Sequence, residues 1–240
     1  MEQYIFETRN RARNPDGDDI ITMIGDEHFH LSRVLRARAG ETILATDGEG
    51  TTCLCVIQQI GKVSSICKVI EEHRNFNLSA REFYIGIAAL KPVSKLELAV
   101  EKCTELGSRG FLLFNSERSE KVNLRRERMA AIVKAAVKQS LQSKIPELAI
   151  VRNLEEAASQ CHVHREKFVL HEKSDKMMTE YLPEVKKGRS VIVLVGPEGG
   201  FSEKEIGFLT ENGFKSFSLG KSRLRSETAA IKAASLLAVY

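Results

Sequence analysis

The sequence predicts an α/β protein of two domains, a small N-terminal β-barrel and a larger domain built on a parallel sheet covered on both faces. Three observations predict it. The hydrophobic pattern changes in the seventies, from short alternating β-branched runs to nearly continuous apolar runs separated by helical stretches. The later runs, such as FLLFN (111–115) and VIVLVG (191–196), lack polar alternation, as strands buried on both faces require. Between the two patterns lies HRNFNLSARE (73–82), polar and irregular, which reads as a linker. The expected domains are 1–74 and 80–240, and a chain of 240 residues is long enough for two unequal cores.

In the first domain the runs YIFE (4–7), ETILATD (41–47), TTCLCVIQQI (51–60) and VSSICKVI (63–70) predict strands, with DGEG (47–50) and Gly61 as hairpin connections. A helix is expected in DEHFHLSRVLRARAG (26–40), opened by Asp26 as N-cap and stopped by Gly40. Closure into a barrel removes sheet edges, which makes it the economical arrangement. In the second domain FYIGIAAL (83–90) and FLLFN begin a strand–helix alternation that continues through ELAIV (147–151), KFVLH (167–171), VIVLVG and KSFSL (215–219). Helices are expected over 94–107, with a Ser94–Glu97 capping box and Gly107 as C-cap, and over 125–140. Three more are expected over about 153–161, from Ser202 (boxed with Glu205) to about Asn212, and from about Ser226 to Val239.

Composition narrows the function classes. Hydrophobic residues make up 42% and charged residues 28%, and no apolar run approaches the roughly 20 residues of a membrane helix. The opening residues lack the basic start, apolar core and cleavage site of an export signal, so a cytoplasmic location is expected. Five cysteines without a secretory segment fit a reducing compartment. Cys53 and Cys55 share a strand face, but no second closely spaced pair accompanies them, and HVH (162–164) has no partner pattern; no metal is expected.

In a parallel sheet, ligands sit at the carboxyl ends of the strands. Three ends are unusual here: LHEKSD (170–175), GPEGGFSEKE (196–205) and LGKSRLRSETA (219–229). Gly196, Gly199 and Gly200 allow close approach of a ligand to bare backbone. A polyphosphate is a poor fit, because neither G-x-x-x-x-G-K-[ST] nor G-x-G-x-x-G is present and Glu198 stands where phosphate oxygens would lie. A cationic or donor-rich ligand suits the turn better.

The net charge of +4 permits an RNA partner without demanding one. Its distribution says more. Between 117 and 144, eight basic residues (Arg118, Lys121, Arg125, Arg126, Arg128, Lys134, Lys138, Lys144) face three acidic ones. In TRNRARN (8–14), Arg9, Arg11 and Arg13 share one side of the chain if it is extended, and Arg33, Arg36 and Arg38 follow in the expected helix. Arg9, Arg11, Arg13, Arg33, Arg36, Lys95, Arg118, Arg125 and Lys138 are the candidate RNA contacts; an ordinary solvated surface has the same appearance. The last helix, ETAAIKAASLLAVY, is apolar around much of its circumference and suggests cover by a second copy.

Six stretches carry a family resemblance: HFHLSRVLRARAGE (28–41), KPVSKLELAVEKCTELG (91–107), NSERSEK (115–121), RMAAIVKAAVKQS with IPEL (128–148), LVGPEGGFSEKEI (194–206) and LGKSRLRSETAA (219–230). In this order they resemble the bacterial small-subunit (16S) ribosomal RNA uridine-N3 methyltransferases of the SPOUT class. The resemblance implies a PUA-like N-terminal barrel and an α/β domain with a trefoil knot. It also implies a homodimer that uses S-adenosylmethionine to methylate one uridine in the assembled small subunit. Leu170, His171 and Glu172 then form one wall of the cofactor site, Gly196, Pro197, Gly199 and Gly200 a second, and Leu219, Gly220 and Leu224 a third. The chain departs from the family at Gln142 and Ser222, where arginine is usual.

For the chemistry, Arg225 and Glu198 are the candidate catalytic residues. Deprotonation at uracil N3 spreads charge onto O2 and O4, where a fixed cation such as Arg225 stabilises it. Arg225 paired structurally with Glu227 or Glu198 is the competing reading, and Glu198 is placed either to accept donors from the cofactor or to tune Arg225. Two other functions stay open: methylation of another ribosomal or transfer RNA nucleotide, and a ribosome-binding factor without chemistry.

Overall fold

The structure is a computed structural model that describes residues 1–120, 122–186 and 188–239; Lys121, part of the basic stretch, lies outside the described residues. The chain separates into two compact units, 1–78 with 137–145, and 79–136 with 146–240.

The first unit is a six-stranded sheet of β1 (Gln3–Ile5), β2 (Arg11–Arg13), β3 (Asp19–Ile24), β4 (Thr42–Thr46), β5 (Thr51–Ile60) and β6 (Ser64–Arg74), in the order β1-β4-β5-β6-β3-β2. β1 runs parallel to β4 and the other pairs are antiparallel. The expected barrel is corrected to this open order, since β1 and β2 are its edges and do not pair with each other. Tyr4, Ile21, Met23, Ile57 and Leu31 form the core, together with Cys53, Cys55 and Cys67. Burial pushes the Cys53 and Cys67 thiols up to about 11, so they stay protonated and apolar.

Two local expectations fail in this unit. Helix α1 (Gly25–Phe29) begins after Ile24 rather than Asp26 and widens into a π turn over His30–Val34. It ends before Gly40 because Arg36 adopts the left-handed conformation (φ 52°). The arginine row at 9–13 is also broken. Thr8–Asn10 is a 3-10 turn, and only Arg11–Arg13 is strand. Arg11 is tied down between Asp19 (2.6 Å) and Glu72 (2.7 Å), while Arg9 pairs with Glu7.

The segment 137–145 completes this unit's interior. Gln3 Nε2 donates to the Gln142 carbonyl (2.8 Å) and Thr46 Oγ1 donates to the Ser143 carbonyl (2.9 Å). Gln142 is only 3% exposed, so its departure from arginine removes no surface charge.

In the second unit, β7 (Phe83–Ala88), β8 (Gly110–Phe114), β9 (Glu147–Ile150), β10 (Glu166–Leu170), β11 (Val191–Val195) and β12 (Lys215–Phe217) form one sheet in the order β12-β10-β11-β7-β8-β9, with every pair parallel. The connections carry α2 (Val93–Glu105), α3 (Arg126–Gln139), α4 (Leu154–Gln160), α5 (Met178–Tyr181) and α6 (Glu203–Glu211), and α7 (Ser226–Val239) follows β12. Residues of α4 and α6 pack on one sheet face with Phe114, Val169 and Leu194. On α2, Leu96, Val100 and Cys103 are buried, as are Ala230, Ala233 and Leu237 on α7, which packs against α2, β7 and β11. Parallel neighbours cannot be joined by tight turns, so each strand needs a crossover lying on a sheet face. The result is an open, Rossmann-like layered α/β arrangement, and the expected knotted SPOUT fold is corrected to it.

The Ser202–Glu205 capping box forms as expected. The Ser94–Glu97 box does not, because α2 starts at Val93 with Pro92 as its cap, and Glu97 instead receives a two-pronged contact from Arg128. The last helix is less apolar than its composition suggests. Thr228, Lys232 and Ser235 form a polar stripe of exposed positions at helical spacing. No helix among the described residues is long and apolar enough to cross a membrane.

The Arg11 cluster gives a stability test. Arg11→Ala strands two partly buried carboxylates and is expected to destabilise the chain by about 1–2 kcal/mol, against less than about 0.5 kcal/mol for Arg13→Ala. Hydrogen bonding from Arg11 is the main reason that the Asp19 and Glu72 carboxyls lie below their ordinary values. The contribution is therefore present above the ordinary carboxylate range and lost as pH falls through the lowered values. Urea melts from neutral pH into acid check this: the gap between wild type and Arg11→Ala should close in acid, and a pH-independent gap contradicts the assignment.

Candidate functional site

A cleft opens where β10, β11 and β12 end. Their parallel register brings Leu170, Val195 and Phe217 to one edge, and each chain then leaves through a loop. The loops are fastened to one another. The His171 N–H donates to the Phe217 carbonyl (2.9 Å), Met178 N–H to the Ser218 carbonyl (3.0 Å) and Ser218 N–H to the Lys176 carbonyl (2.8 Å). The cleft is lined by eleven of the predicted cofactor and catalytic residues: Leu170, His171, Glu172, Gly196, Pro197, Glu198, Gly199, Gly200, Leu219, Gly220 and Leu224.

Glycine is required at two of these positions. Gly200 (φ 65°) and Gly220 (φ 130°) occupy backbone conformations that other L-residues adopt only under strain. A Cβ on Gly200 would meet nothing within 4 Å, so bare backbone faces open space there. At Gly199 the same atom would touch the stem of Arg118 at 3.4 Å.

Glu198 is engaged. Its Oε1 accepts from the Lys91 N–H and from Lys95 Nζ, each at 3.2 Å. Burial opposes its ionisation, but its own backbone N–H, Lys95 and the Lys91 N–H outweigh this and hold the carboxyl below its ordinary value. Glu198 is thus a fixed anion at neutral pH, beside Glu172 and Glu203 in the same cleft. Two ion pairs cross its rim, Lys173–Glu203 (2.8 Å) and Arg223–Glu172 (3.5 Å).

Arg225 is exposed and outside the cleft lining, although Leu224 and Ser226 on either side of it line the cleft. It forms no ion pair with Glu198 or Glu227; Glu227 is buried, and its Oε2 has no partner among the described residues. Ser222, the second departure from the family, lies in the cleft.

The candidate RNA contacts divide. Arg9, Arg11, Arg13, Arg33, Arg36 and Lys138 belong to the first unit, and Lys95, Arg118 and Arg125 to the second. Arg13, Arg33, Arg36 and Arg125 are exposed and have no ion pair among the described residues. Lys138 is held by Glu27 (2.8 Å) over the Tyr4 ring, Lys95 by Glu198, and the Arg118 guanidinium donates to the Gly199 carbonyl (2.9 Å). Sequence reasoning placed Arg118 on an RNA surface and missed its place in the cleft, along with Lys173, Glu203, Phe217, Ser218, Ser226 and Ala229. Adjacency to the three strand ends signalled the later five and Lys173, whereas nothing local signalled Arg118. Among the described residues no cluster of metal-ligating side chains is present.

Comparison with known proteins adds identity to this geometry. Residues 77–238 match the family described as "RNA methyltransferase domain", and residues 24–70 match "RNA methyltransferase PUA domain". A ribosomal RNA small subunit methyltransferase E of Bacillus subtilis (strain 168) is 30% identical, with 99% of this chain and 96% of that protein covered. The protein of that name from Mycobacterium bovis is also 30% identical, with 90% and 85% covered. A crystal structure of a ribosomal RNA small subunit methyltransferase E from Neisseria gonorrhoeae bound to S-adenosyl methionine superposes with a TM-score of 0.82 at 23% identity, covering 98% and 95%. These findings support a Rossmann-like α/β domain with a PUA-like N-terminal element and indicate neither a knot nor SPOUT topology, which corrects the class given by the resemblance. The chain belongs to the RNA methyltransferase family that its residues 77–238 match.

Proposed function

We propose that this chain transfers a methyl group from S-adenosylmethionine to N3 of a uridine in 16S ribosomal RNA, acting on the assembled small subunit as a homodimer. Methylation of small-subunit ribosomal RNA with this cofactor follows from family membership and from the relatives' activity; the nucleotide, the ring atom and the assembly are the finer proposal. The observation that carries the reading is the cleft at the ends of β10, β11 and β12, with bare backbone at Gly200 and three carboxylates around it.

The residues present fit S-adenosylmethionine. Leu170, Val195, Phe217, Leu219 and Leu224 offer apolar cover for a flat ring, and Glu172, Glu198 and Glu203 suit a ligand with ammonium and sulfonium charges. No lysine stands in a phosphate-cradling turn, which disfavours ATP. When bound, S-adenosylmethionine supplies an electrophilic methyl group. The chain's own residues then orient the acceptor and stabilise charge. Arg225 is flanked by cleft residues while its side chain is exposed, a position from which a guanidinium can meet O2 or O4 of a uracil brought by RNA. Its lack of a carboxylate partner among the described residues favours this role over a structural one. Arg13, Arg33, Arg36 and Arg125 are the candidate phosphate contacts. Leu98 (43% exposed) and Val239 (83% exposed), on the paired helices α2 and α7, offer apolar surface to a second copy, and sedimentation of the free chain decides that part.

Three outcomes are expected. Nucleoside mass spectrometry of 16S RNA from cells lacking the gene should show loss of 3-methyluridine, restored by the gene; unchanged 3-methyluridine with another methylated nucleoside lost would redirect the specificity. Ala229→Phe places a ring in the cleft from α7 and should weaken S-adenosylmethionine binding at least about tenfold, roughly 1.4 kcal/mol, with the melting temperature little changed. Normal calorimetric affinity in that variant would displace the cofactor from this cleft. Arg225→Met should lower the single-turnover methyl-transfer rate by about 10² while cofactor affinity and melting temperature hold. Normal chemistry in a destabilised protein would make Arg225 structural.

A further inference from the structure

We infer that Arg118 is a positioning residue of the cofactor loop, forming a fourth wall of the cleft, and that the segment 115–120 holds it there. This inference rests on the proposed function for the identity of the ligand, but not for the clamp itself. The loop 196–200 is rich in glycine, and glycine loses more conformational freedom on ordering than any other residue. A loop of this kind needs an outside constraint to present one shape to a ligand.

Segment 115–120 supplies that constraint at three points. The Arg118 guanidinium donates to the Gly199 carbonyl (2.9 Å), and its aliphatic stem lies 3.4 Å from where a Gly199 Cβ would stand. One residue earlier, the Glu117 N–H donates to Glu205 Oε1 (2.8 Å) while Glu117 Oε2 accepts from the Ser202 hydroxyl (2.7 Å). Ser202 and Glu205 are themselves the capping box of α6, both more than nine-tenths buried. The backbone at 117 is thereby fixed to the start of α6, and that fixes the direction from which Arg118 reaches back over the glycines. Two residues later Glu120 pairs with Lys91, whose N–H donates to Glu198. Both flanks of the Gly199–Gly200 turn are braced from the same segment. A guanidinium spent on a loop carbonyl is placed to shape the cleft rather than to contact a phosphate.

The experiment uses the full chain with Arg118→Ala, Arg118→Lys and, as a surface control, Arg165→Ala, an exposed arginine outside the cleft lining. Amide hydrogen exchange over 196–202 is measured without ligand, S-adenosylmethionine affinity by calorimetry, and small-subunit binding over a salt series. Arg118→Ala is expected to speed exchange in 196–202 and weaken cofactor binding roughly tenfold, as loss of a charge-assisted hydrogen bond does, with the salt slope unchanged. Arg118→Lys keeps one donor and should recover part of both effects; it carries the test if the alanine variant fails to fold. Unchanged exchange and affinity, with a salt slope reduced by about 0.9, would make Arg118 a phosphate contact and overturn the inference. If the unsubstituted chain does not bind S-adenosylmethionine, the proposed function fails while the exchange comparison still decides the clamp.

Discussion

The parallel pairing of β10 between β11 and β12 is the constraint on which the rest of the site depends. Parallel hydrogen bonding sets the register so that Val169 lies beside Leu194 on one side and Ser216 on the other, and the three strands end together. Their last residues are apolar because both sheet faces are covered, so polar and glycine residues first become possible beyond that edge. A cleft at that place follows from the ladder. Slipping β12 by one residue would move Phe217 to the opposite face and take the Ser218–Gly220 loop out of reach of Met178 and His171.

Charge in the cleft is arranged by short-range contacts rather than by net charge. Glu198 is kept ionised by Lys95 and the Lys91 N–H, so that an anion is present before any ligand arrives. The rim pairs Lys173–Glu203 and Arg223–Glu172 are largely exposed and contribute little to stability. Their value lies in position, since they join the loops after β10, β11 and β12 across the opening. A cationic ligand therefore meets carboxylates whose counter-charges are already placed.

The basic residues show how little a count of charges says about partners. Arg11, Lys95, Lys138 and Arg118 each have an intramolecular partner, and two of them, Lys95 and Arg118, hold residues of the cleft at the ends of β10, β11 and β12. Arg13, Arg33, Arg36 and Arg125 are exposed cations without an ion pair among the described residues. Arginines alternating at 9, 11 and 13 looked like one row, yet the 3-10 turn at Thr8–Asn10 and the Asp19–Arg11–Glu72 contact gave each a different environment.

By itself the sequence determined the strand–helix alternation after residue 83, the Ser202–Glu205 cap and the residues at the three strand ends. These depend on local periodicity and on glycine and proline chemistry, which a linear pattern records. Only the tertiary structure decided that those ends converge, that segment 137–145 belongs with the first unit, and that Gln142 is buried. It also decided that Glu97 answers Arg128 instead of capping α2, and that Arg118 faces the cleft. Each of these rests on contacts between residues tens of positions apart, whose partners are selected by sheet order and packing. The parallel sheet covered on both faces was legible in the periodicity, whereas the knot came only from the family resemblance: an alternating pattern specifies strands and helices, but a particular chain path depends on which strands become neighbours.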